Sequence, residues 1–424
     1  MTGIVILFIY VALFVGAWVA VTLVQRRMEP YHDLTSLKTV TFGDESAVRS
    51  NRWASILSLV VIFLIWGAFT GSRLVPVHVP GPFVGDTGFT YTARNAAGEM
   101  DTADIAVVVH KVGAKVDDPE IEAGDGFAKA DTATVAAWRS VLIRASRNDD
   151  GGREDGYAVI EIDGKPIEPG ATVRTANGAV TMTPKGSLSF SPSKGLQMEP
   201  IWMPSPEDVV GRFIEIASDG YQNFTLWEHL GWSLFRVVAG FFFGTLIGIP
   251  LGYAMGLSGW FRGWFDPIVE FMRPVPPLAL IPLVIIWFGI WETGKIVLLF
   301  LAALWIMAIA ARAGVSGVNI TKVHAAYSLG ASRRQILWHV IVPNSLPEIF
   351  TGARVAMGVC WGTVVAAELV AAQKGAGMMI IAASKFQLTD IVIMGIVLIG
   401  IIGFGIDMLM RRVEGILVPW KGRA

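Results

Sequence analysis

The chain has 424 residues, 53% of them hydrophobic, with a formal net charge of −1 and a mean hydropathy of +0.55. That balance is too apolar for a soluble multi-domain protein, and it lacks the basic footprint that nucleic-acid binding needs. The single cysteine, Cys360, lies in an apolar run, and the six histidines show no HxxxH or HExxH spacing. An intrachain disulfide and a cysteine-based metal site are therefore excluded, and the histidine spacing argues against a zinc hydrolase.

A helix crossing a bilayer takes about 20 apolar residues. Runs of that order are expected as spans at 4–24, 53–71, 231–255, 268–290, 296–315, 349–371 and 391–410, so the chain reads as an integral membrane protein. The first run lacks a basic n-region and a small-x-small cleavage site, and it is too long for a signal peptide. Arg26 and Arg27 follow it directly, with Arg49 and Arg52 further on. The positive-inside rule then places the N-terminus outside and the linker to residue 52 in the cytoplasm.

After the second run, residues 75–202 form a polar insert rich in Gly, Asp, Thr and Ala. Short β-branched runs at 105–109, 157–162, 172–174 and 179–183 are separated by the turn signals Asp163-Gly164 and Asn177-Gly178. Strands at this spacing predict a small β-sandwich, which span parity places on the outer face. The run NGxVTxTPxGSLSFSP resembles bacterial cadherin-like extracellular repeats over about thirty residues. Its acidic Gly-Asp turns could bind Ca²⁺, but a solvated loop face is the preferred reading.

Residues 203–230 read as an amphipathic helix at the outer interface. The next span carries Arg236 and glycines at 240, 244, 248 and 252, a smooth face for close helix packing in lipid. A short cytoplasmic loop, 256–265, precedes a run with Pro274, Pro276, Pro277 and Pro282. Prolines this dense are tolerated in a membrane beside re-satisfying neighbours or a cavity. Glu270 and Arg273, three residues apart, can pair on one helix face. Gly289 to Lys295 spells GxxxxGK, but Ile296 stands where a P-loop needs Ser or Thr, and the segment joins two spans, so it is rejected as a nucleotide site.

Between two apolar runs, the stretch 323–347 reads as two short helices. The first stops at Gly330 in a left-handed turn, and the second starts at Ser332 as cap. Pro343 and Pro347 are expected to break or reset it. In the next span Arg354 and Glu368 lie fourteen residues, about 21 Å, apart along a helix. Arg354 is expected to snorkel inward, and Glu368 to sit near the outer end before a flexible turn at 373–377. Arg411 and Arg412 close the last run and put the C-terminus in the cytoplasm.

Ala325-Ala326, Gly330 and Leu346-Pro347 resemble the E-A-A loop of ABC-importer permeases, with His324 where that family has Glu. MPSP, FDPxxExxRPxPPLAxIPL, WFGIxExxK and AAExxAAxxGxG add to the likeness. Together they resemble the permeases of nitrate/sulfonate/taurine-type importers over 53–74 and from 203 onward. The resemblance implies an all-α polytopic type I importer fold with a six-span core at 53–74 and 203–424. An extra N-terminal span with its linker (1–52) and the β-rich insert (75–202) lie outside it. The resemblance also implies that His324, Ala325, Ala326, Tyr327, Gly330 and Ala331, in the loop 319–347, couple the chain to a separate ATPase dimer that binds ATP and Mg. Pro343 and Pro347 would shape that loop. An extracytoplasmic binding protein and a second copy of the chain are the other expected partners. Ionisable residues inside spans mark pathways by default, which nominates Glu270, Arg273, Glu368 and Arg236 for a small anionic solute. A membrane sensor or a channel are the competing readings. The first would need a larger cytoplasmic output domain, and the second has no use for the 323–347 loop.

Overall fold

Strand alternation, helix caps and a glycine stripe account for most of the architecture. The computed structural model describes residues 52–114, 116–119, 121, 124–150 and 156–420, with scattered positions between 8 and 27. The expected first span and its linker therefore fall almost wholly outside the described residues. Contacts divide the chain into two units, Met1–Glu207 and Asp208–Ala424.

The first unit contains helix α1 (Arg52–Thr70) and nine strands among the described residues. These are β1 (Gly85–Arg94), β2 (Met100–His110), β3 (Asp131–Ala136), β4 (Val141–Ile143), β5 (Ala158–Ile162), β6 (Lys165–Pro166), β7 (Thr172–Thr175), β8 (Gly178–Met182) and β9 (Leu188–Pro192). One sheet has the order β3-β2-β1-β5-β6 and the other β4-β9-β8-β7. Alternate residues of most strands point into a shared apolar core, where Phe89 of one sheet stacks on Phe190 of the other with centroids 5.7 Å apart. Asp163 and Gly164 both take positive φ, 48° and 70°, as a two-residue type I′ hairpin requires. The other expected turn is displaced by one residue. Thr175 pairs with Gly178, so Ala176 and Asn177 make the turn. Gly178 is a strand residue whose Cβ would sit 2.5 Å from the Ser191 carbonyl and 2.8 Å from the Phe190 ring.

The second unit is helical: α2 (Pro206–Asp219), α3 (Leu226–Leu257), α4 (Gly259–Met272), α5 (Ile281–Phe288), α6 (Glu292–Ser316), α7 (Ile320–Ser328), α8 (Arg333–Ile336), α9 (Val342–Ala371), α10 (Ala376–Lys385) and α11 (Thr389–Leu417). Among the described residues four helices are long and apolar enough to cross a membrane, or five if α4 and α5 count as one broken span. The run 268–290 is thus not the single helix expected. The prolines interrupt it, and the two pieces bend by 94°. Residues 259–272, expected to begin as loop, are helical. The amphipathic segment ends at Asp219, and 226–230 already belong to the span α3.

Thr225 and Glu228 cap α3 reciprocally, fixing where it starts. Its glycine face packs on α6. A Cβ on Gly244 would lie 2.5 Å from the Ala303 Cβ, and one on Gly248 would lie 2.8 Å from the Leu304 carbonyl oxygen. Small residues let these backbones meet, because lipid supplies no hydrophobic drive between helices. On the other side of α6, Gly314 faces Ser345 of α9. The helices α3, α6 and α9 share one buried cluster that includes Val237, Leu299, Met307, Ala356 and Cys360.

Candidate functional site

Two features of the helical unit carry most of the residues that the sequence nominated. The first is the loop between α6 and α9. Asn319 caps α7 by accepting from the Thr321 amide at 2.8 Å. At its other end Gly330 takes φ +79°. The Gly330 amide donates to the Tyr327 carbonyl at 2.9 Å, and the Ala331 amide to the Ala326 carbonyl at 3.0 Å, the bond pair of a Schellman cap. This places Ala326, Tyr327, Gly330 and Ala331 in one turn, with His324 and Ala325 exposed on α7. Tyr327 and Leu329 are 52% and 88% exposed. Ser332 then starts α8 in a capping box with Gln335.

Pro343 and Pro347 do not break the chain's path. A π-helical turn, Leu337–Ile341, leads from α8 into α9, and both prolines lie inside α9. Asn344 and Ser345 side chains donate to the carbonyls of Val340 and Val342, at 2.6 and 2.8 Å. Backbone groups beside a proline find side-chain partners in this way. Lys322 of α7 donates to Asn344 Oδ1 at 2.8 Å, tying the loop helix to the start of α9.

The second feature lies at the opposite ends of α6 and α9, about 36 Å away for the 25 residues of α6. Arg236 is fully buried. Its Nη1 donates to Glu368 Oε1 at 2.6 Å, and its Nε and Nη2 grip Glu292 bidentately at 2.5 and 2.8 Å. Lys295, 6% exposed, donates to the same Glu292 at 3.0 Å. Ser233 donates to Glu368 at 2.8 Å and accepts from the Ala376 amide at 2.9 Å. The Gly377 amide donates to Glu368 at 3.0 Å, and the Gly375 amide to Nδ1 of the buried His229 at 3.1 Å. The turn expected to be flexible is therefore bonded down.

Of the nominated path residues, Arg236 and Glu368 meet, and Glu270 and Arg273 stand apart from them. Those two pair with each other at 3.7 Å and are largely exposed, while Glu270 also bonds Arg312 at 3.0 Å. Arg354 pairs with Asp407 at 3.5 Å and Glu414 at 3.3 Å of α11, the helix that carries Arg411 and Arg412 near its end. Sequence reasoning missed Glu292, Lys295, Ser233 and His229. A signal did exist for Lys295, an ammonium inside an apolar helix in the motif rejected as a P-loop.

The β unit holds a buried acidic cluster of its own. Tyr91 donates to Asp149 at 2.9 Å, and the Tyr157 hydroxyl donates to the same carboxylate. Burial, then Asp149, raises Asp131 to about 6 against a helping bond from Asn148. Burial is likewise the main cause that raises both tyrosine hydroxyls.

Comparison with known proteins places residues 244–415, within the helical unit, in the family described as binding-protein-dependent transport system inner membrane component. The taurine transport system permease protein TauC of Escherichia coli K12 is 49% identical over 226 residues, 53% of this chain and 82% of that protein. A putative aliphatic sulfonates transport permease protein, SsuC of the same organism, is 38% identical over 52% of this chain and 82% of its own length. The nitrate import permease protein NrtB of a Synechocystis strain is 31% identical, over 44% of this chain and 68% of its own.

Proposed function

The chain belongs to the ABC-importer permeases of the nitrate, sulfonate and taurine family, and on that premise we propose that it forms, as a homodimer, the import path for a small anionic solute of the sulfonate, taurine or nitrate kind. It is a multi-pass inner-membrane transport subunit and not itself an enzyme; ATP hydrolysis belongs to a separate subunit.

In this reading the ATPase dimer binds ATP and Mg and takes the exposed α7–Gly330–α8 turn into a groove. An extracytoplasmic binding protein hands solute to the opposite face. The N-terminus and residues 75–202 then lie outside and the C-terminus inside, with 1–52 supplying a span beyond the type I core. The observation that carries the proposal is the α7 helix. It is exposed with Tyr327 and Leu329 outward, yet it is capped at both ends and tied by Lys322 to the start of α9. A rigid helix so mounted converts ATPase closure into a tilt of α6 and α9, and alternating access needs such a bistable bundle. One loop per chain and two grooves per ATPase dimer give the homodimer.

Affinity purification of the tagged chain with its cognate ATPase, followed by uptake into proteoliposomes, tests this. Full-rate solute movement without any nucleotide-hydrolysing partner would refute it. So would exposure of the α7 loop to an outside protease in intact cells.

A further inference from the structure

The transport reading leaves the solute's contacts open, and the charge cluster offers one. Its four ionisable groups are two basic side chains, Arg236 and Lys295, and two carboxyl groups, Glu292 and Glu368. They are not equally committed. Arg236 fills its fork with both carboxylates. The Lys295 ammonium has three donors, and among the described residues its partner is a Glu292 oxygen that Arg236 also holds. Lys295 lines a cavity of about 20 Å³ whose other walls include Ile281, Val284, Trp291, Leu298 and Ala367. That volume admits a single oxygen atom or a water. Glu292 is 39% exposed at the side chain, against 6% for Lys295.

We infer that Lys295 and Glu292 form an ion-pair receptor for the solute, in which a sulfonate-type oxygen takes Lys295 and a solute ammonium takes Glu292. The inference depends on the transport reading and narrows its solute class. A cluster with balanced charges admits a zwitterion without changing its net charge. A bare anion such as nitrate would leave one negative charge uncompensated in a low-dielectric interior, which is costly. The Lys295–Glu292 pair opens to accept the solute, and Arg236 keeps its hold on Glu292 throughout.

A bland role for Lys295, neutralising Glu292, makes a different prediction, and equilibrium dialysis separates the two. The purified full-length permease–ATPase complex, without binding protein, is dialysed against radiolabelled taurine, with ethanesulfonate and nitrate as competitors. The receptor predicts that the Lys295→Met complex binds taurine about tenfold or more weakly, the loss of one charge-assisted bond. It also predicts that Glu292→Gln/Lys295→Met, which restores charge balance, does not recover binding, and that both unlabelled anions compete less well than unlabelled taurine. Binding by K295M within twofold of wild type overturns the receptor, and so does recovery in the double variant. The double variant carries no excess charge, so it also answers the question if K295M alone fails to assemble. A wild-type complex that binds no taurine yet imports it with ATP overturns the receptor and leaves the transport reading standing. Once supplied with its binding protein, a complex without ATP-driven import of any of the three solutes would count against the transport reading itself.

Discussion

Arg236→Met probes the ionic centre of the helical unit. The substitution keeps most of the side-chain volume and removes the guanidinium from two carboxylates. Glu292 is part-exposed and keeps Lys295 at 3.0 Å, so its share of the cost is small. Glu368 is 1% exposed and retains the Ser233 hydroxyl and the Gly377 amide but no cation. Removing one partner of a buried pair costs about 3–5 kcal/mol. At about 2–4 °C per kcal/mol for a unit of this size, melting falls by roughly 6–20 °C. The assay is a thermal scan of detergent-solubilised protein read by size-exclusion chromatography. Adding Glu368→Gln removes the orphaned charge, so R236M/E368Q recovers most of the loss, as coupled neighbours do in a double-mutant cycle. An R236M melting point within about 2 °C of wild type, or a double variant no better than the single, would refute the reasoning.

Three further outcomes are expected. Gly330→Val forces a β-branched residue into the left-handed region at φ +79°. It abolishes uptake while the protein stays in the membrane, and normal uptake by this variant would remove the coupling role from the loop; His324→Glu, by contrast, keeps uptake. Gly248→Val drives a side chain into the Leu304 carbonyl and Met307; overpacking of this kind costs about 1–3 kcal/mol, and the thermal scan above measures it. In the β unit, Asp131 sits at about 6 in the folded chain, above the ~3.9 of an unfolded one. Its raised value favours the protonated fold. Strand-amide protection in the full chain, corrected for intrinsic exchange, therefore grows as pH falls through 6 and levels off below about 4. Asp131→Asn flattens that profile, and an unchanged profile would sink the assignment.

What could be read from the sequence was local. The glycine stripe of α3, the Gly330 stop, the Ser332 cap and the Asp163-Gly164 turn each follow from a few adjacent residues and from backbone chemistry that tolerates few alternatives. Long-range pairings left no such trace. Arg236 and Glu368 are separated by 132 positions and Arg354 and Glu414 by 60, and no spacing rule joins them. Read from the sequence, the prolines after Arg273 are tolerated inside one span, and neither the break nor its 94° bend follows from their spacing alone. Gly178 misled because its role is set by the Phe190 ring on the neighbouring strand. In the same way Pro343 and Pro347 signalled a stop, which the π-helical turn and the side chains of Asn344 and Ser345 absorb.

The placement of the arginines constrains where a path can open. Arg236 joins α3, α6 and α9 at one end of the bundle through Glu292 and Glu368. Near the loop end, Arg312 joins α6 to Asp266 and Glu270 of α4, and Arg354 joins α9 to Asp407 and Glu414 of α11. Between the ends, α3 and α6 meet backbone to backbone along the glycine face, with no side-chain layer to slide on. A packed core of this kind moves as a block rather than deforming continuously. Under the proposed coupling, α3, α6 and α9 would tilt together when the loop is pushed, and the opening would form on the outer faces of that block, where α5 packs near Lys295 and where the proposed second copy would close the other wall.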